Sequence, residues 1–314
     1  VTEKREIIID TDPGQDDAIA LLLALASTEL DVLGITSVAG NVPLALTTKN
    51  VLKVCELADR SNTKVYVGSE RPMQRELFTA EYVHGATGLN GAQLPEPSMS
   101  VQQPHAVDFI IETILSRPNK SVTLCTLGPL TNVGQALLKA PEIAARTKEL
   151  VMMGGGLFEG GNVTPAAEFN MYVDPDAAKL TFDAGIPMVV MPLDVTHKAL
   201  TTKSRIDAFR ALRTKVGTAA AEWLDFFERF DEEKYGTDGG PLHDPNVIAY
   251  LLKPALYSGR HINVEIETES ALTVGMTVAD YWRVTDRPRN AVWMTDVDSD
   301  GFFELILERL AVFK

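Results

Sequence analysis

Four aspartates, Asp10, Asp12, Asp16 and Asp17, fall within eight residues near the start of the chain. Acids this close repel one another, and burying an unpaired carboxylate costs several kcal/mol or forces it to take up a proton. Asp16 and Asp17 are accounted for if they open a helix, whose N-terminal dipole favours negative charge. Asp10 and Asp12 come before that helix and need another partner. A hard divalent cation bound by oxygen ligands would serve, and acids clustered in a cleft point to function.

The neighbouring residues say where these acids sit. Ile7, Ile8 and Ile9 are β-branched and read as a buried strand. Pro13-Gly14 is a turn, and Ala18 to Ala26, rich in Ala and Leu, reads as a helix. The carboxylates therefore fall at the C-terminal end of a strand, which in an open α/β sheet is the edge where ligands bind.

Strand and helix patterns alternate onward through strands near 31–38, 64–68, 121–127, 149–153 and 188–193. The expected fold is α/β, one domain over residues 1–314, with a mostly parallel, Rossmann-like central sheet flanked by helices. A mainly helical segment is expected near 200–252. There Trp223, Phe226, Phe227 and Phe230 recur at helical spacing, as core packing does. Strands are expected again at 262–267, 272–278 and 291–297, before a closing helix at 301–313. Two stretches lose periodicity, residues 70–102 and 231–242, and loops this long in a compact domain serve as lids or binding loops. Polar clusters follow the strands at Asn41, Gly128 to Asn132, Asn162 to Asn170 and Asp194, and His243-Asp244 opens a helix. A parallel sheet would gather them along one edge.

A net charge of −14 argues against a nucleic-acid polymer as partner. Cys55 and Cys125 lie in apolar patterns and read as buried free thiols of a reducing compartment. No basic-then-apolar leader is apparent, and no apolar run reaches the roughly 18 residues of a membrane span. A cytoplasmic protein away from membranes is expected.

Asp10-Thr11-Asp12-Pro13-Gly14-Gln15-Asp16-Asp17 resembles the N-terminal signature of the nucleoside hydrolases, the inosine-uridine-preferring ribohydrolases and their relatives. His84-Gly85, Gly128-Pro129-Leu130-Thr131-Asn132, Glu168-Phe169-Asn170 and His243-Asp244-Pro245 follow in that family's order. The resemblance implies a Ca²⁺ site at Asp12, Asp17, the backbone carbonyl of Leu127 and Asp244, with Asp10 behind it. It implies hydrolysis of a ribonucleoside to free base and ribose, with Asp12 as general base towards water and His243 protonating the departing base. Asp16 and Asn41 would hold the 2′ side of the ribose, Asn170 the 3′-hydroxyl, and Asn162 and Glu168 the 5′-hydroxyl. Met153 and Phe169 would line the substrate site, and His84 and Tyr235 the base pocket. A homodimer or homotetramer is implied as well.

Two other readings compete. Asp10-Thr11-Asp12 after a strand also resembles the nucleophile pair of haloacid dehalogenase-type phosphatases, although Pro13-Gly14 departs from that pattern and no partner Lys is evident. A non-catalytic nucleoside-binding protein is the second. Purine, pyrimidine and broad base preference all remain open, because the base pocket would be built by the two irregular loops.

Overall fold

The computed structural model describes residues 4–236 and 238–314, with backbone alone over residues 228–235. Among the described residues, one large sheet is built from eight strands. They are Arg5–Thr11 (β1), Leu30–Ser37 (β2), Val65–Val67 (β3), Thr123–Thr126 (β4), Glu149–Met153 (β5), Met188–Met191 (β6), Tyr257–Ile262 (β7) and Ala291–Val297 (β8). Their order across the sheet is β3-β2-β1-β4-β5-β6-β8-β7. All neighbours pair in parallel except β8 with β7, which run antiparallel.

The strand order reverses at β1, which has β2 on one side and β4 on the other. Crossover connections leave this point in opposite directions, so the C-terminal ends of β1 and β4 open a crevice between them. The acid cluster lies there. Both faces of β1 are covered. Ile7 and Ile9 join the core packed around helix Gln15–Ala26 (α1), and Ile8 joins the opposite core with Phe109 and Leu124. All three isoleucines are fully buried, as expected of a central parallel strand. α1 is itself buried almost all round, sandwiched between the sheet and the helices Lys215–Tyr235 (α2) and Pro245–Leu252 (α3).

The single α/β architecture expected from the sequence is the one observed, with three local corrections. The stretch expected as an irregular loop from residue 231 remains helical to Tyr235, the end of α2. The strand expected at 272–278 shrinks to Thr277–Ala279, because Gly275 takes φ +83° and the backbone turns between Ser270 and Met276. The strand expected over 262–267 is two strands: β7 ends at Ile262, and Val264–Ile266 pairs with Thr277–Ala279. Among the described residues, no helix is long and apolar enough to cross a membrane.

Candidate active site

Both acids of the first turn of α1 are buried, and so are Asp10 and Asp12. Asp17 is the best satisfied. Its Oδ1 accepts from Thr11 Oγ1 at 2.5 Å, and its Oδ2 accepts from the backbone N–H of Gly14 at 3.0 Å and from Asn41 Nδ2 at 3.3 Å. The Gly14 bond satisfies the backbone N–H of the residue that caps the start of α1. Asp12 has one committed oxygen, Oδ2, which accepts from the Asn41 backbone N–H at 2.7 Å. Its Oδ1 is buried and has no hydrogen-bond partner.

Glycines let the backbone close around that carboxylate. A Cβ at Gly40 would lie 2.1 Å from Asp12 Oδ2, and one at Gly128 would lie 2.2 Å from Oδ1. Asp10 faces a different set of partners. Its Oδ1 accepts from Thr36 Oγ1 and, at 2.7 Å, from Asn132 Nδ2. Asn132 also donates to the Ser37 carbonyl and accepts from the Ser69 N–H and hydroxyl, tying together the ends of β1, β2 and β3. Asp10 thus belongs to the scaffold behind the site, which does not suit the phosphatase reading.

Asp244, at the N-terminus of α3, completes the cluster. Carboxylate oxygens of Asp16, Asp17 and Asp244 lie within 4.8 Å of one another, all buried. This trio contains Asp16 where the sequence resemblance places Asp12. Burial, then the charge of Asp17, pushes Asp16 up to about 8, although the backbone N–H groups of Asp17 and Asp244 pull the other way. Burial and the charges of Asp16 and Asp17 push Asp244 well up, and burial with Asp17 does the same to Asp12. The protein alone therefore supplies too little positive potential to hold these groups ionised together. An all-oxygen donor set with an orphaned buried carboxylate atom fits a hard divalent cation.

A cleft opens above the cluster, lined by Asp16, Asn41, His84, Leu127, Met153, Asn162, Glu168, Phe169, Asn170, Phe227, His243 and Asp244 among others. Ten of the residues expected from the sequence to touch metal or substrate thus meet on one surface, together with the catalytic candidate His243. Asp12 and Asp17 sit behind it, tied to Asn41. Tyr235 lies at the end of α2, and its side chain is outside the described residues.

Short-range bonds hold the polar groups of one wall. Asn170 Nδ2 donates to the carbonyls of Leu127 at 2.8 Å and Met153 at 3.2 Å, clamping the ends of β4 and β5. Glu168 caps the short helix Phe169–Val173. Its carboxylate accepts from the N–H groups of Asn170, Gly155 and Met171 at 2.9–3.2 Å. Burial still pushes Glu168 up to about 7. Asn162 Oδ1 accepts from the Phe169 N–H at 2.9 Å, fixing the loop that brings it to the cleft.

The two histidines occupy the other wall. His84 ends the short helix Glu81–His84, and its ring stacks on Phe227 with centroids 5.6 Å apart. Its Nδ1 lies 2.7 Å from Gln15 Oε1, and burial pulls its pKa down to about 3. His243 Nδ1 lies 2.8 Å from Thr196 Oγ1, and its ring meets Phe227 edge-on at 6.5 Å. The Thr196 hydroxyl can donate or accept, so this contact sets no tautomer.

Sequence reasoning missed several contributors. Phe227 is buried, as its core-packing spacing implies, and it also lines the cleft in contact with both histidine rings. Gln15, Asn132 and Thr36 carry no signal of their own. Gln15 and Asn132 stand inside the quoted motifs without a role assigned to them there, and Thr36 lies outside every motif. Asp194 turns out to be structural: it sits in a short helix, Leu193–Thr196, where it accepts from the N–H groups of Phe158 and Glu159 and from Trp293 Nε1.

Comparison with known proteins bears on this arrangement. Residues 7–304 match the family model described as inosine-uridine preferring nucleoside hydrolase. An uncharacterised protein of Schizosaccharomyces pombe is 53% identical over 305 residues, covering 97% of this chain and 98% of its own. A pyrimidine-specific ribonucleoside hydrolase of Salmonella gallinarum is 48% identical over 308 residues, covering 98% of each chain. Among solved structures, a purine-preferring ribonucleoside hydrolase from Gardnerella vaginalis superposes with a TM-score of 0.91 at 32% identity, covering 98% of both chains.

Proposed function

Because the chain belongs to the inosine-uridine preferring nucleoside hydrolase family, whose members are glycosidases acting on N-glycosyl compounds, we propose that it is a calcium-dependent ribonucleoside N-ribohydrolase. It releases free base and ribose for nucleoside salvage. The observation that carries the metal dependence is the buried, unpartnered Oδ1 of Asp12 beside the converging carboxylates of Asp16, Asp17 and Asp244. Asp12, Asp17, Asp244 and the Leu127 carbonyl would hold the cation. That carbonyl already accepts from Asn170 and has a second lone pair to offer. When bound, Ca²⁺ neutralises the acids and lowers the pKa of water.

The reacting sugar develops oxocarbenium character as the C–N bond lengthens. Asp12 accepts the proton of the water that attacks the anomeric carbon, opposite the departing base, as the base does in an inverting glycosidase. Asp16 and Asn41 hold the 2′ side of the ribose, Asn170 the 3′-hydroxyl, and Asn162 and Glu168 the 5′-hydroxyl. Each buried hydroxyl needs such a partner, since an unmade bond costs about 1–3 kcal/mol. Glu168 also disfavours a 5′-phosphate, because a carboxyl group offers a dianion no positive charge and its ionised form repels one. His243 delivers a proton to the leaving base. Met153, Phe169 and His84 line the pocket.

The relative at 48% identity supports uridine and cytidine as the best substrates. The free thiols Cys55 and Cys125, both buried, support a reducing, cytoplasmic setting. Trp282 and Val284 are exposed apolar side chains of the kind that a homodimer or homotetramer covers. The direct test is ribose release from uridine, cytidine, inosine, adenosine and guanosine, before and after chelation and dialysis. Release that fails without metal and returns with Ca²⁺ supports the reading. Release indifferent to chelation overturns the metal assignment, and no release from any of the five overturns the activity.

A further inference from the structure

Gln15 sits between the acid signature and the histidine wall, fully buried, and no role in binding metal or sugar falls to it. Its side chain makes three hydrogen bonds. Nε2 donates to the backbone carbonyls of His84 and Asn90, each at 3.0 Å, and the other end of the amide faces His84 Nδ1 at 2.7 Å. The orientation of the amide is fixed by its surroundings. Two carbonyl oxygens can be met only by the NH₂ group, so the atom facing His84 is the amide oxygen, which is an acceptor alone. The imidazole nitrogen opposite it must therefore carry the hydrogen.

We propose that Gln15 is a positioning residue that locks His84 as the neutral Nδ1–H tautomer, so that the ring offers the cleft a hydrogen-bond acceptor, Nε2, and never a donor. The backbone around the pair enforces the geometry. A Cβ at residue 14 would lie 2.4 Å from His84 Nδ1, so Gly14 lets the ring reach the amide. Phe227 stacks on the ring and limits its rotation. The consequence is a division of labour: the His84 wall selects a ligand edge bearing N–H or O–H, and any proton delivered to the leaving base comes from elsewhere. The functional part rests on the cleft binding a nucleoside; the tautomer itself does not.

The two parts are tested separately. With only five histidines in the chain, selective ¹⁵N-histidine labelling and long-range ¹H–¹⁵N correlation spectra resolve tautomers, and His84→Phe assigns the ring by its disappearance. The wild-type protein should show Nδ1 protonated and Nε2 unprotonated, unchanged from pH 5 to pH 8. An Nε2–H tautomer, or a ring that titrates in that range, overturns the proposal, with or without any activity. Gln15→Met, close in size and unable to accept, should shift the ring towards Nε2–H. Gln15→Glu keeps an acceptor facing Nδ1 and should retain the wild-type tautomer. In the hydrolysis assay, Gln15→Met should raise KM for the best nucleoside about tenfold, the worth of one neutral hydrogen bond. Inhibition by free ribose should change by less than about twofold on the same scale. Equal weakening of ribose and nucleoside would show that Gln15 only supports the acid cluster, and would overturn the specificity role.

Discussion

The two ends of the cleft are built on different principles. The end at which we propose the sugar binds is made by strand termini and short loops whose polar groups are anchored to the backbone. Asn170 is clamped to the Leu127 and Met153 carbonyls, Glu168 to three N–H groups, and Asp12 to the Asn41 N–H. The end proposed for the base is made by side chains from a short helix, from α2 and from the residue leading into α3. Its histidines are held by other side chains, Gln15 and Thr196, and divided by Phe227. Backbone-anchored groups cannot drift without moving the sheet, whereas side-chain-anchored groups can be exchanged one at a time. Under the proposed function, a scaffold of this kind would keep one reaction centre constant while the base it accepts changes. The pyrimidine-specific and purine-preferring relatives fit that pattern.

The sharpest way to break this contrast is Asp12→Ala. It removes an oxygen ligand and the proposed general base together, so turnover of every nucleoside should fall by at least about 10⁴-fold, whatever the base. A loss that varied with the base would erase the distinction between the two ends. His243→Ala acts at the other end and should lower kcat for uridine by roughly 10²–10⁴-fold. Hydrolysis of p-nitrophenyl riboside, whose leaving group needs no proton, should hardly change. Equal losses on both substrates would remove His243 from leaving-group protonation.

Stability measurements address the acid end without turnover. Asp16, raised to about 8, and Asp12 and Asp244, also raised, keep protons in the folded protein that the unfolded chain has already lost. The unfolded state then binds fewer protons, so stability of the metal-free protein should fall as pH rises from near 4 to near 8. Thermal melts of the chelated protein should therefore show a lower Tm at pH 8 than at pH 5, and added Ca²⁺ should recover most of the difference at pH 8. A flat metal-free profile would mean that the cluster is neutralised some other way. The smallest effect is expected at Glu168→Gln. KM for uridine should rise no more than about tenfold, since other polar groups at this wall are retained. Discrimination against uridine 5′-monophosphate should narrow, because the repelling carboxylate is gone.

Much of this was legible along the chain because the signals were local. The run from Ile7 to Asp17 gives strand, turn and acidic helix start within one short stretch, and each is observed. The alternation of apolar strands and helices specified a parallel sheet, and a parallel sheet forces strand ends to a common edge. Strand β7 escaped notice because Tyr-Ser-Gly-Arg-His-Ile is an edge strand, largely exposed, with no apolar face to repeat. The resemblance to a family brought Asn162, Glu168 and Asn170 to attention when composition alone would have left them as turn residues.

What the sequence determined by itself was the order of elements, the burial of the central strands and the identity of the acids that crowd one strand end. Those follow from periodicity, turn chemistry and charge, all read over a few neighbouring residues. Only the tertiary structure decided which polar atoms are satisfied. Asp10 Oδ1 is bonded to Asn132, 122 residues away, whereas Asp10 Oδ2 and, two positions along the same chain, Asp12 Oδ1 keep no partner. Gln15 meets a ring 69 residues distant and so sets which of its nitrogens bears a hydrogen. Hydrogen bonds act over about 3 Å, and no pattern along the chain reveals which distant groups the packed sheet will bring within that distance.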